Sequence, residues 1–403
     1  MSHPLISHNP DLRRLRDEGY SVEVSGSSYL LVHDVPYVNS HREIAYGTLA
    51  SELTLTGDKT IRPSNHVVLF IGDFPCLQDG KEINQIRHSA SNELVAPLLR
   101  ARFSFSNKPK SGYNDYYEKM SRYADIISYP AMSIDPKVTA KVFRAIEASG
   151  EDSVFKYIDT ASSRAGISEV SEKLKLGRIA IIGLGGTGSY VLDLVAKTPV
   201  NEIHLFDGDK FIQHNAFRSP GAPSLDDLSK APMKVDYYAS VYSRMRNNII
   251  PHGCFLDALN LELLEGFDFV FICMDTGFAK KDIVLKLLEL GIPFVDTGMG
   301  IQLLAEEQSL IGILRVTTAT NEKTDHLMRK ISFVDTVVED DYSRNIQLAE
   351  LNALSAALAV VKWKKLYGFY HDMEKEHDST YSINVNMLTS EDKSNEEAGN
   401  LEA

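Results

Sequence analysis

Polar and apolar positions alternate with a period of two through Ser21–Val24, Tyr29–His33, Glu43–Ala50 and His66–Gly72, the spacing of half-buried strands. Turn residues at Gly26-Ser27-Ser28, Gly57-Asp58 and Asp79-Gly80 separate these runs. The pattern predicts an antiparallel sheet, to which Arg102–Ser106 adds a strand. Asn9-Pro10-Asp11 caps a short helix that ends at Gly19. A second helix is expected over residues 114–128, stopped by Pro130, and a third over 137–148, opened by Pro136. Residues 1–150 thus read as a separate α+β domain without an internal repeat.

Beyond residue 177 the pattern changes. Ile179–Ile182 is a continuous apolar run that stops at glycine, as in a strand covered on both faces. A helix through Tyr190–Lys197 turns Val191, Leu192, Leu194 and Val195 inward, and Glu202–Phe206, Phe267–Ile272 and Ile292–Asp296 read as further strands. Lys280–Leu290 is the helix between the last two, Gly298-Met299-Gly300 a turn near the carboxyl edge, and Gln308–Val316 a crossing strand. Ser343–Tyr367 carries an apolar stripe from Ile346 to Trp363 and stops at Gly368. Tyr381–Met387 reads as a last strand. The fold class is therefore α/β, a Rossmann-like doubly wound sheet preceded by a separate α+β domain. The expected boundaries are 1–150, a linker at 151–177, the α/β domain at 178–388 and a disordered acidic tail at 389–403.

Composition narrows the function classes. With 403 residues there is room for two domains or three. A net charge of −13 disfavours nucleic acid and acidic membranes as partners. Cys76, Cys254 and Cys273 are too few and scattered for a disulfide framework, and no C-x-x-C pair suggests zinc. No apolar run is long enough for a membrane span, so a soluble, cytoplasmic protein is expected.

Candidate chemistry concentrates at 178–218. Gly183-Leu184-Gly185-Gly186-Thr187-Gly188 fits G-x-G-x-x-G between a strand and a helix, and Asp207 ends the next strand at the fingerprint distance. Gly183 permits the tight turn, Gly185 lets backbone approach a phosphate, and Gly188 lets helix and strand pack closely. The helix N-terminus offers unpaired N–H groups to an anion, and Asp207 can accept from ribose hydroxyls. Elsewhere the signals are weaker. Cys76 reads as a small loop hydrophobe, since no His or Arg adjoins it to lower its pKa. Tyr113, Tyr116, Tyr117 and Tyr123 read as helix-to-sheet packing, with a partner surface as the alternative. Arg164 is a surface cation or a finger reaching a phosphate site.

The pattern then runs Asp207-Gly208-Asp209, five residues, Asn215 and Arg218, followed by Lys234 and by Asp275 at a later strand end. With these residues the chain resembles the ThiF/MoeB/E1 group, which adenylates the C-terminal carboxylate of ubiquitin-like and sulfur-carrier proteins. The resemblance covers about residues 178–370 and implies an ATP site in which Asp207 holds the ribose and Asp209 supports it. It implies that Asn215, Arg218 and Lys234 bind and polarise the triphosphate, and that Asp275 binds Mg²⁺. It also implies a homodimer, and partners that are a ubiquitin-like or sulfur-carrier protein ending in glycine and E2-like or peptidase components of the same operon. The chain departs from the group at Ser219, where glutamine is common, in lacking zinc cysteine pairs, and in having no cysteine after Gly300. Adenylation is supported and a following thioester is not. Two competing readings are a NAD- or FAD-dependent oxidoreductase, which leaves Asn215, Arg218, Lys234 and Asp275 without roles, and adenylation of a small molecule or tRNA base. A nucleotide-binding scaffold without catalysis is a third.

Overall fold

The computed structural model describes residues 2–26, 28–97, 99–148, 153–275, 277–333 and 346–394. They divide into two units, Met1–Glu151 with Ile158–Gly166, and Asp152–Tyr157 with Ile167–Ala403. Among the described residues no helix is long and apolar enough to cross a membrane.

In the first unit, helices α1 (Ser2–His8) and α2 (Pro10–Asp17) precede strands β1 (Ser21–Ser25), β2 (Tyr29–Val38), β3 (Ile44–Glu52) and β4 (Val67–Ile71). Strands β5 (Arg87–Ala90) and β6 (Phe103–Ser106) complete an antiparallel sheet of order β1-β2-β3-β4-β6-β5. Helix α3 (Tyr116–Ile134) is capped by Asp115, whose carboxylate accepts from Glu118 N at 2.7 Å. It runs through Pro130 rather than stopping there, with the proline ring buried. Residues 137–148 form no helix. They lie against the end of α2 as irregular chain, where Phe143 N donates to Gly19 O and Lys141 pairs with Glu18 at 2.8 Å. Tyr113, Tyr116 and Tyr123 are buried in the core of this unit, so they serve packing.

Lys119 on α3 is buried in the same core, where its ammonium donates to Ser51 Oγ at 2.8 Å. Burial lowers its pKa to about 8. A lysine whose folded pKa lies below its unfolded value makes the unfolded chain bind more protons between the two, so stability rises with pH across roughly 8 to 10. Lys119→Met is expected to stabilise the first unit by up to about 3 kcal/mol at pH 7, with the gain shrinking as pH rises through that window. Urea unfolding of both chains at pH 7 and pH 10 reads the difference. A gain that does not vary with pH would mean that the ammonium is not the source of the cost.

Helix α4 (Thr160–Ala165) and a further turn of helix at Ser168–Glu172 occupy the expected linker. The second unit is then built on β7 (Arg178–Ile182), α5 (Gly186–Val195), β8 (Glu202–Phe206), α6 (Lys234–Tyr242), β9 (Ile249–His252), β10 (Phe269–Ile272), α7 (Phe278–Glu289) and β11 (Phe294–Leu304). Strands β9-β8-β7-β10-β11 are parallel neighbours. In chain order this is 3-2-1-4-5, so the direction of winding reverses between β7 and β10, the place where such sheets open a crevice at the carboxyl edge.

Four expectations are corrected from β11 onward. Gly298-Met299-Gly300 is not a turn but continues β11, and Ser309–Ala319 (β12) folds back on it antiparallel, with Gly298 opposite Arg315. The Arg315 guanidinium fills the space that a side chain at 298 would need. Helix α8 (Ala349–Leu366) starts later than expected, and residues 343–345 lie outside the described residues. The single last strand is replaced by β13 (Asp378–Ser382) and β14 (Met387–Glu391), paired through Thr380 and Thr389. The sheet thus enters the segment expected to be a disordered tail, because Arg329 and Lys330 supply cations to Asp392, Asp378 and Glu391. The rest of that tail, from residue 395, lies outside the described residues.

Candidate nucleotide site

Parallel pairing brings three chain ends to one level. Ile182 on β7 lies between Phe206 on β8 and Ile272 on β10, so Gly183, Asp207 and Cys273 line the carboxyl edge together. Gly183 has φ +85°, and a side chain there would meet the Cys273 carbonyl. At Gly188 a Cβ would fall 1.8 Å from Gly183 O, so the first turn of α5 rests directly on the glycine turn. Around Gly185 the position of a Cβ is open. The motif therefore has a packed side and a bare side, and the bare side faces where an anion would sit.

Asp207 is buried and does more than await a ligand. Its Oδ2 accepts from Leu184 N at 2.7 Å and its Oδ1 from Asp209 N at 2.8 Å, so it pins the glycine turn to its own strand end. A carboxylate has further lone pairs for a ribose hydroxyl. Lys234, the first residue of α6, is buried 3.5 Å from Asp207 and 2.7 Å from Asp209 Oδ2. Asp209 is half exposed.

Asn215 lies in a short helix, Gln213–Ala216, with Oδ1 accepting from Ile212 N at 2.9 Å. Its Nδ2 is buried without a partner among the described residues, as is Arg218 Nε. Two buried N–H groups left unmatched are costly in a finished core and are what an anion site supplies. Burial, then the charges of Arg218 and Lys234, lower the pKa of His214, which leaves its imidazole neutral at pH 7 among these cations. Asp275 is exposed three residues past β10, at the switch point. The N-cap residue of α7 is Gly277. Arg164 is exposed on α4, in the first unit, whereas the other candidates belong to the second.

The donor set fits ATP. Gly185 leaves room, Asn215 and Arg218 offer donors, and Lys234 adds a cation at Asp207 and Asp209. Mg²⁺ keeps several waters and takes one or two carboxylates with phosphate oxygens. A single exposed carboxylate, Asp275, fits an ion that arrives with the nucleotide. Among the described residues the one group with carboxylate spacing for a metal, Asp378, Glu391 and Asp392, carries Lys330 instead.

Three features were invisible in the sequence pattern. Phe255, largely exposed, lies over Gly208, where a Cβ would touch its ring at 2.6 Å. This sets an aromatic face beside Asp207 and Asp209. Lys280 bridges Asp296 at 2.6 Å and the Met274 carbonyl at 3.2 Å, while Arg315 holds the other oxygen of Asp296 at 2.7 Å. Asn352 on α8 reaches Thr187, so the Thr187 hydroxyl is turned inward. None of these residues is near the motif in sequence.

None of the cysteines is an activated thiol. Cys273 lies against Gly188, and burial pushes it up to about 12. Burial also raises Cys76 and Cys254.

Residues 10–160 match a domain of unknown function, DUF6791, and residues 159–302 match the ThiF family. The ubiquitin-like modifier-activating enzyme 5 of Culex quinquefasciatus is 25% identical over 150 residues, and that of Gallus gallus 28%. Each alignment covers 34% of this chain and 38% of the relative, so the chain spans well under half the length of the curated relatives it matches. Among solved structures, E. coli MccB with ATP aligns at a TM-score of 0.45 and 18% identity over 57% of this chain and 67% of that one. PaaA aligns at 0.42 and 19% over 56% and 75%.

Proposed function

From the premise that residues 159–302 are a ThiF family domain, we propose that this protein is an E1-like adenylyltransferase. It binds ATP at the β7/β10 crevice and activates the C-terminal carboxylate of a ubiquitin-like or sulfur-carrier protein, forming an acyl-adenylate and releasing pyrophosphate. The observation that carries this reading is the pair of buried, unmatched donors, Asn215 Nδ2 and Arg218 Nε, in the segment that follows Asp207 and Asp209. They add donors for a triphosphate to those that the glycine turn already offers a phosphate.

In this reading Asp207 accepts from the ribose while it keeps the glycine turn in place, and Phe255 offers its face to the base. The N-terminal N–H groups of α5 and the bare side of Gly185 receive phosphate oxygens. Lys234 exchanges Asp209 for a phosphate oxygen, and Arg218 and Asn215 hold the departing pyrophosphate. Magnesium, when bound with the nucleotide at Asp275, supplies further neutralisation of phosphate charge. Attack by the carboxylate needs positioning rather than a side-chain nucleophile. The raised thiols of the three cysteines support a product passed to a nucleophile on another protein, such as an E2-like component. A homodimer in the cytoplasm is part of the same proposal.

The test is calorimetric titration of MgATP and of NAD into the full chain and its Asp275→Ala variant. Magnesium-dependent ATP binding, weakened by the substitution and absent for NAD, is expected. Tight NAD binding indifferent to Asp275→Ala would overturn the reading in favour of an oxidoreductase.

A further inference from the structure

Helix α8 turns Ala356, Ala359, Val360 and Trp363 into the core beneath the parallel strands. One turn before Ala356 on that same inward stripe is Asn352, only 1% exposed. A buried amide on an apolar stripe is costly unless both of its ends are matched. Here they are. Thr187 Oγ1 donates to Asn352 Oδ1 at 3.1 Å, and Asn352 Nδ2 donates to the main-chain carbonyl of Arg218 at 3.2 Å. The orientation of the amide is fixed by chemistry, since the Arg218 carbonyl can only accept. The same group occupies the space over Gly186, where a Cβ would come within 2.0 Å of Nδ2.

We propose that Asn352 is a positioning residue that locks the glycine-rich turn and the Arg218 segment into a single phosphate-binding frame. The proposal rests on the nucleotide reading above and adds to it. Thr187 then contributes through Asn352 rather than by touching the nucleotide, and Gly186 is glycine because Asn352 fills its side-chain space. The frame sets the distance between the α5 N-terminus and Arg218, the two donors that must face the same triphosphate. Asn352 bonds to neither Asp207 nor Phe255, the ribose and base contacts, and Asp207 keeps its own hold on the turn through Leu184 N. The role is therefore specific to phosphates.

The test compares MgATP with adenosine on the full chain. Calorimetry measures MgATP, and ligand-observed NMR measures adenosine, for wild type, Asn352→Ala, Asn352→Asp and Thr187→Val. Asn352→Ala is expected to weaken MgATP about tenfold or more, the effect of one lost buried hydrogen bond, with adenosine affinity unchanged. Asn352→Asp keeps the acceptor for Thr187 but sets a carboxylate oxygen against the Arg218 carbonyl, so it should be at least as weak for MgATP. Thr187→Val should lose less, because the arm to Arg218 survives. MgATP binding by Asn352→Ala equal to wild type would overturn the proposal, and so would equal losses for MgATP and adenosine, which mark a general loss of structure. Should Asn352→Ala fail to fold, Thr187→Val and Asn352→Asp decide by the same comparison. Failure of the wild-type chain to bind MgATP would instead remove the nucleotide reading itself.

Discussion

Arg218→Ala is expected to lower carboxylate-dependent ATP–pyrophosphate exchange about 100- to 1,000-fold, the usual loss for one positioned donor at developing negative charge, while leaving the melting temperature unchanged. The two effects separate because of how Arg218 is held. Its segment is tied down through the main-chain carbonyl, which accepts from Asn352. Its guanidinium carries a buried Nε with no partner among the described residues. Removing the side chain therefore orphans nothing. Lys234 is the opposite case. It is buried against Asp207 and bonded to Asp209, so Lys234→Ala takes the cation from buried Asp207, leaves it only its two main-chain N–H donors, and costs about 3 kcal/mol of stability as well as activity. Exchange assays beside thermal unfolding of both variants check the contrast. Full exchange activity in Arg218→Ala would remove this residue from the triphosphate site.

Two glycines of one motif are expected to fail in different ways. At Gly188 the added methyl would sit 1.8 Å from Gly183 O. Neither backbone can yield without separating α5 from β7, so Gly188→Ala should destabilise the second unit by about 3 kcal/mol or more. At Gly185 the backbone has φ −70°, and an added Cβ meets nothing within 4 Å, so Gly185→Ala should melt as the parent does. The methyl would nonetheless stand between the α5 N-terminus and an incoming phosphate, and MgATP affinity should fall about tenfold or more. Calorimetry on the folded variant and a thermal melt of each complete the comparison. Parent-like affinity in Gly185→Ala would show that phosphates do not approach that side of the turn.

Much of the second unit was legible in the sequence because its signals are local. A short, β-branched apolar run ending at glycine is the pattern of a covered strand, and the spacing from Gly188 to Asp207 is a property of one β-α-β unit. The carboxyl-edge positions of Asp207 and Asp275 followed from strand ends alone. Local signals misled where a distant partner outweighed them. Pro130 signals a helix stop, yet α3 continues because the ring is buried against the core. Gly298 and Gly300 signal a turn, yet they lie in β11, opposite Arg315 and Ile313 on β12. The acidic composition past Ser390 suggested disorder, but Arg329 and Lys330 were available to pair with its first carboxylates.

By itself the sequence determined the Rossmann-like architecture, the glycine turn and the order of polar residues from Asp207 to Asp275, because each depends on neighbours along the chain. Only the tertiary structure decided what those residues do for one another. It showed Asp207 pinning the turn, Lys234 shared between two carboxylates, Phe255 over Gly208, and Asn352 joining Thr187 to Arg218 across 165 and 134 residues of chain. The physical reason is burial. A polar atom removed from water must find a partner wherever the fold brings one, and sequence distance does not enter that requirement.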